Sequence, residues 1–476
     1  MRISEHPILK FERGKSITFY FDGKPVQARE GETIAAALHA AGIFTLSRSL
    51  EHQRPRGFFC AIGKCASCMM EVDGIPNVKT CLVLAKEGMS VRSQTGWGRL
   101  SDTDQKRPLP RRTIPELETD VAVVGAGPAG LSAALYASRF GAGVMVFEEN
   151  SRIGGQLIKQ THMFFGSKEH YAKVRGIDIG AKLAGQLGEK VEVYTDTPVV
   201  GYYKHNQLAV IKDHRLFRVK AKKIIIATGA SENMLAFPNN DLPGVYGAGA
   251  VQTLMNVYGV LPGKRMLMVG AGNIGVIVAY QLLQAGVDVA AVVEALPTIG
   301  AYQVHASKLR RCGVPILTRH TIERALGKTQ VEGAVIVKLD DQWKPVPGTS
   351  RTLDVDTICL SVGLKPTSEI FVQAGCRMAN ISELGGEIPV RNKHLETTVE
   401  GLYVAGDASG IEEASSAMLE GRLAGLDAAA KLMGFSREIQ KEIDHVMESL
   451  KELRAGPFGE KIREGEKNLE KEILGS

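Results

Sequence analysis

The stretch Val121-Ala122-Val123-Val124-Gly125-Ala126-Gly127-Pro128-Ala129-Gly130 decides the fold of this chain. Its four leading apolar residues read as a short parallel strand buried on both faces. They run into a G-x-G-x-x-G loop, a helical pattern over 131–140, then a second apolar strand over 144–147 closed by Glu148. Gly125 permits the tight turn, Gly127 lets the backbone approach a pyrophosphate, and Gly130 lets the helix pack on the strand. The helix N-terminus offers N–H groups and partial positive charge to phosphate. Glu148 stands where a carboxylate can accept bonds from ribose hydroxyls. Because all these parts arrive in order, the stretch reads as a dinucleotide site rather than a glycine-rich turn.

A second unit of the same kind follows. A strand is predicted over 265–269, then the loop Gly270-Ala271-Gly272-Asn273-Ile274-Gly275, a helix over 276–284 and a strand over 287–293 ending at Glu294. A carboxylate at Glu294 repels a 2′-phosphate, and no Arg follows closely, so NAD or another adenine nucleotide such as ATP is expected over NADP. The competing reading is a retained fold that binds the nucleotide structurally, or binds nothing.

Four of the seven cysteines crowd into Cys60-x4-Cys65-x2-Cys68 and Cys81, with twelve residues between the last two. The C-x4-C-x2-C…C order is that of a plant-type [2Fe–2S] site, in which a compact loop wraps one side of the cluster and a separate segment brings the fourth thiolate. Gly57 and Gly63 give the loop backbone freedom, and the small Ala66 and Ser67 leave room for N–H groups to face sulfur. Zinc is the alternative, although zinc knuckles pair two short C-x-x-C units and only one is present. Upstream, a hairpin is expected from 17–21 through Asp22-Gly23 to 25–28, then a helix over 34–41 capped by Thr33. This is the start of a β-grasp ferredoxin module.

Composition excludes several classes. With 44% apolar and 23% charged residues, 6% aromatics and a net charge of +6, the chain reads as an ordinary soluble protein with no nucleic-acid surface. The pairs Lys106-Arg107 and Arg111-Arg112 are read as a solvated linker. No signal peptide is read in residues 1–14, and no run approaches the roughly 18 apolar residues of a membrane span. Crowded cysteines suit metal or redox use in the cytoplasm better than a disulfide framework.

Further motifs narrow the reading. Arg152-Ile153-Gly154-Gly155-Gln156-Leu157 follows the first acid, Ala227-Thr228-Gly229 ends a later strand, and Gly401-Leu402-Tyr403-Val404-Ala405-Gly406-Asp407 forms another strand and turn. Together with the first loop they resemble the thioredoxin-reductase-like branch of two-dinucleotide flavoproteins. That resemblance implies FAD contacts at Gly125, Gly127, Pro128, Ala129, Gly130, Glu148, Gly155, Gln156, Thr228, Gly229, Gly406 and Asp407. It implies nucleotide contacts at Gly270, Gly272, Asn273, Ile274, Gly275 and Glu294. The redox C-x-x-C of disulfide reductases is missing, and Cys312, Cys359 and Cys376 are isolated. Disulfide reduction is therefore disfavoured.

The expected fold class is α/β: two Rossmann-like dinucleotide-binding domains preceded by a β-grasp [2Fe–2S] domain. The expected domains are the [2Fe–2S] domain (1–97), a linker (98–118), the FAD domain (119–237 and 361–435), the inserted nucleotide domain (238–360) and a charged helical segment (436–476). Across nearly its full length this arrangement resembles the α subunits of heteromeric amine-oxidising dehydrogenases, such as dye-linked L-proline dehydrogenase, hydrogen cyanide synthase and heterotetrameric sarcosine oxidase. The resemblance implies cluster ligands Cys60, Cys65, Cys68 and Cys81, a partner β flavoprotein that oxidises the amino or imino acid, a hetero-oligomer, and in some members FMN between subunits. No folate-type domain like the one that continues sarcosine oxidase α is expected, and no second cluster, since no extra cysteines follow Cys376 in this sequence. No acid–base pair marks a substrate site, so no catalytic residue is assigned. A relay subunit is the favoured reading. The rivals are a self-sufficient NADH:acceptor oxidoreductase and, outside enzymes, an assembly scaffold with vestigial cofactor folds.

Overall fold

The computed structural model describes residues 1–94, 96–99 and 113–474. The Arg- and Pro-rich pairs read as a linker lie outside the described residues. The chain forms two compact units. One joins the N-terminal residues to Glu232–Gly363, and the other joins the chain up to Ser231 with the chain from Leu364 onward. The crossings therefore fall at 231/232 and 363/364, where 237/238 and 360/361 were expected.

In the first unit, strands Lys24–Arg29, Ser16–Phe21, Ser90–Ser93, Met69–Val72 and Ile75–Lys79 lie side by side in that order. Asp22 and Gly23, with φ of 47° and 77°, make the tight turn between the first two; positive φ at both positions suits the right-handed twist of a hairpin. Thr33 accepts from Ala36 N at 3.3 Å and starts the helix Ile34–Ala40, all of whose residues are buried. The rest of the unit carries a parallel sheet ordered Val245–Gly247, Thr357–Leu360, Arg265–Val269, Asp288–Glu294 and Ile316–Thr318. The ferredoxin-like module is fastened to it: His39 Nε2 lies 3.2 Å from Leu261 O, and its ring meets those of Phe44 and Tyr246 edge-on.

In the second unit a seven-stranded sheet runs Val191–Tyr194, Val144–Phe147, Glu116–Val124, Arg215–Ile226, Gln207–Lys212 and Val199–Tyr203, with Leu402–Val404 also paired to Arg215–Ile226. The central strand begins at Glu116, inside the stretch read as linker. Glu116 pairs with Arg218 in register and bridges Arg218 and Lys220 at 2.9 and 2.5 Å. Ion pairs flank that end of the strand and Leu117 is its one apolar residue before Val121, so its hydrophobic signal is weak. The helix after the first loop is Pro128–Arg139, three residues earlier than expected; proline's fixed φ suits a first helical position. It packs on Ala414–Met433 at glycines: a Cβ at Gly421 would lie 2.0 Å from Ala129 O, and one at Gly425 2.4 Å from Ala133 O. The charged C-terminal segment forms helices Arg437–Leu453 and Glu460–Leu474, and buries Ile439, Ile443, Val446, Ile462 and Leu469 against this unit.

Candidate functional site

In the second unit the residues expected to hold FAD come together. Gly125 leaves its strand at φ +99°, and a Cβ there would sit 2.4 Å from Ala227 O, beside Thr228 and Gly229. A Cβ at Gly130 would lie 1.8 Å from Gly125 O. Gly127 differs: a Cβ there would meet only Gly155 Cα, at 3.8 Å, so that face of the loop is open to a ligand. Gly155 (φ +53°) faces back, its would-be Cβ 2.7 Å from Gly127 Cα, and that of Gly406 (φ +71°) would lie 2.9 Å from Ala129 Cβ. Thr228 Oγ1 donates to Thr367 O at 3.4 Å, and Gln156 is exposed in the turn Gly155–Lys159.

Pro128 opens the helix behind Gly127, and no side chain caps it. By contrast Thr33 and Ser436 cap their own helices. Uncapped first-turn N–H groups and an open glycine face fit a pyrophosphate. Glu148, 4% exposed, accepts from Ala126 N at 2.8 Å and from Asn150 N and Nδ2 at 2.9 and 2.6 Å. It thus braces the loop, a role that the ribose assignment did not anticipate. Burial pushes the Asp407 carboxyl up to about 7, partly offset by the N–H of Glu412 at 3.5 Å.

The first unit repeats this device. Gly270 (φ +105°) leaves no room, since a Cβ would lie 2.1 Å from Ser361 O, whereas Gly272 has nothing within 4 Å. Glu294 accepts from Ala271 N at 2.8 Å and Leu296 N at 3.0 Å, as Glu148 does from Ala126 and Asn150. Ala301 N donates to Ala271 O, matching Gly154 N to Ala126 O, so each loop is strapped by a later segment. Asn273 Oδ1 accepts from Tyr302 N at 2.9 Å and ties that strap to the helix start, Gly275 packs against Gly270 O, and Ile274 is exposed.

The four expected ligand cysteines face one another. Cys65 N donates to Cys60 Sγ at 3.4 Å, and the four thiols are close enough to shift one another's titration. Neighbouring thiols lower Cys60 and Cys68 and raise Cys65 and Cys81. Two thiolates thus form readily and two with difficulty, a repulsion that a bound cation relieves. Positive φ at Ala61 and Gly63 bends the loop, and Thr80 Oγ1 donates to Cys68 O at 2.7 Å. Phe59 O accepts from Gly247 N at 3.0 Å and seats this loop on the parallel sheet of its own unit. Cys359 and Cys376 are buried and Cys312 is exposed.

Motif reading missed Asn150, which holds Glu148, and Glu412, Glu420 and Arg454, which stand behind Gly406 and Asp407. Only Glu420 left a trace, as an acid in a helix otherwise rich in small residues.

Comparison with known proteins fits this geometry. The chain belongs to the pyridine nucleotide-disulphide oxidoreductase family, whose model matches residues 119–421. A 2Fe-2S iron-sulfur cluster binding domain matches residues 14–96, which contain all four clustered cysteines. The chain is thus a flavo-iron–sulfur oxidoreductase with FAD and a 2Fe–2S cluster as cofactors. It is 27% identical over 475 residues to the alpha subunit of sarcosine oxidase from Rhizobium meliloti, covering 86% of this chain and 45% of that one. It is 31% identical over 341 residues to one of the opine oxidase subunits of the same organism, covering 66% of this chain and 71% of the relative. The crystal structure of L-proline dehydrogenase from P. horikoshii aligns with a TM-score of 0.72 at 26% identity, over 93% of this chain and 79% of that one. The chain spans about half the length of the sarcosine oxidase subunits it matches. The expected resemblance to α-type subunits of amine-oxidising complexes holds, as does the fold class. Among the described residues no helix is long and apolar enough to cross a membrane.

Proposed function

We propose that this chain is the electron-transferring α subunit of a heteromeric amino- or imino-acid dehydrogenase, its substrate being L-proline or a sarcosine-like amine. A partner β flavoprotein would oxidise the amine, and electrons would leave through this chain to an external acceptor. The observation that carries this reading is the pairing of a braced dinucleotide loop and a four-thiol loop with no redox cysteine pair. Bound FAD would supply a carrier that accepts electrons in pairs and releases them singly, as a one-electron cluster requires.

The chain's own residues would do the holding. Gly125, Gly127, Pro128, Ala129 and Gly130 would present backbone N–H groups to the pyrophosphate, with Gly155 and Gln156 closing over them. Thr228, Gly229, Gly406 and Asp407 would border the flavin end, and Glu148 the ribose. Cys60, Cys65, Cys68 and Cys81 would ligate the cluster as thiolates. Gly270, Gly272, Asn273, Ile274, Gly275 and Glu294 would hold an adenine nucleotide, NAD or ATP, and FMN at an interface between subunits belongs to the same proposal. Thiolate ligands favour a reducing compartment, so the proposed complex is a cytoplasmic one.

The intact loop at Gly270–Gly275 supports a second reading, an NADH:acceptor oxidoreductase complete in one chain. The relay reading is tested by offering the purified chain L-proline or sarcosine with a dye acceptor. No turnover is expected, and turnover by the chain alone would overturn it.

A further inference from the structure

The turn Gly406–Asp407 is gripped from behind by charges that no motif contains. Glu420 lies in the helix Ala414–Met433 and is 3% exposed. Its Oε2 accepts from Gly406 N at 2.9 Å, and its Oε1 accepts from Arg454 Nη2 at 2.8 Å. Arg454, from the end of the C-terminal helix Arg437–Leu453, also bonds Glu412, whose N–H reaches Asp407 Oδ1. Glu466 stands 3.7 Å from Arg454 and 2.7 Å from Arg391. The three carboxylates thus surround a guanidinium, and the trio is no cation site.

Burying a carboxylate among small residues is costly unless it is paired and hydrogen-bonded. A backbone N–H alone could be satisfied by a neutral acceptor. Two further contacts show how little freedom the grip leaves. Gly406 has a φ of +71° and no room for a Cβ against Ala129, and Gly421, next to Glu420, abuts the Ala129 carbonyl. The carboxylate therefore holds the Gly406 peptide against the dinucleotide helix while Arg454 holds the carboxylate.

We propose that Glu420, locked by Arg454 of the C-terminal segment, is a positioning residue for FAD. It sets the Gly406 peptide and so aims Asp407, which makes the C-terminal helices part of the cofactor site. This rests on the reading above that Asp407 borders FAD.

The test uses the full chain stripped of FAD and titrated with FAD, following fluorescence quenching and the shape of the visible band. Glu420→Ala is expected to raise the Kd at least about 10-fold and to change the band. Glu420→Gln, which keeps an acceptor for Gly406 N–H, is expected to stay within about 3-fold with the native band. Arg454→Met is expected to fall between them. Asp407→Ala separates the two claims. If it loses FAD while Glu420→Ala binds normally, the positioning role is overturned and the site stands. If Asp407→Ala itself binds normally, the site reading fails. Should Glu420→Ala not fold, Glu420→Gln decides: a loss of 10-fold or more with an unchanged unfolding temperature overturns the acceptor role.

Discussion

Replacing Gly421 by Ala puts the packing behind the cofactor loop to a test in which local and tertiary effects have opposite signs. In a helix interior Ala is favoured over Gly by about 1 kcal/mol, so propensity alone stabilises the variant. The added Cβ, however, would sit 2.0 Å from Ala129 O, 2.7 Å from its carbonyl carbon and 2.9 Å from its Cα. An ordinary contact begins at 3.4 Å, so the shortfall to the oxygen is 1.4 Å. The opposing atoms are backbone, so no side chain can swing aside and the two helices must separate. Overpacking of this kind costs about 1–3 kcal/mol, and the parted helices also lose dispersion contacts. The expected net is a destabilisation of about 1–2 kcal/mol, or about 2–8 °C in unfolding temperature for a unit of this size. Ala129 belongs to the loop itself, so FAD affinity should fall about tenfold, equivalent to about 1.4 kcal/mol. Thermal unfolding of the FAD-free chain and FAD titration measure both. Gly425→Ala, against Ala133, should destabilise with a smaller effect on FAD. A Gly421→Ala chain that unfolds at or above the native temperature and binds FAD normally would refute the reasoning.

Cys68→Ser should remove the cluster's absorbance and bound iron while FAD remains at native content; iron retained at the native level would exclude Cys68 as a ligand. Asp407→Asn should flatten a pH dependence. Burial holds this carboxyl up to about 7 in the folded chain against 3.8 when free, so the folded state keeps a proton that the unfolded state releases. Its contribution is therefore fully present below pH 3.8 and is lost as pH rises through about 7. Unfolding temperatures of the FAD-free chain across that window should fall less steeply in Asp407→Asn than in the native chain. Parallel curves would contradict the assignment.

Much of this was legible because glycine loops and cysteine spacings are local requirements. Gly125, Gly130 and Gly270 stand where any Cβ would strike a carbonyl, and the sequence shows that demand directly. The parts that escaped reading are held by contacts distant along the chain. The start of the central strand at Glu116 depends on Arg218 and Lys220, about a hundred residues later. Glu420 became significant only once Gly406 and Arg454 were seen on either side of it. Glu148 and Glu294 were found by spacing, but their bracing bonds to Ala126 and Ala271 required the folded loops. Likewise, the backbone bonds that strap each loop to a later segment, Gly154 N to Ala126 O and Ala301 N to Ala271 O, became visible only in the folded loops.

The claim that FAD here is a junction fed by a partner flavoprotein is tested most directly by anaerobic rapid mixing of the FAD- and cluster-loaded chain with NADH. The account expects the oxidised flavin band to persist, whether or not the second loop binds the nucleotide. Rapid bleaching of that band, followed by reduction of the cluster, would contradict it and establish an NADH-driven reductase instead.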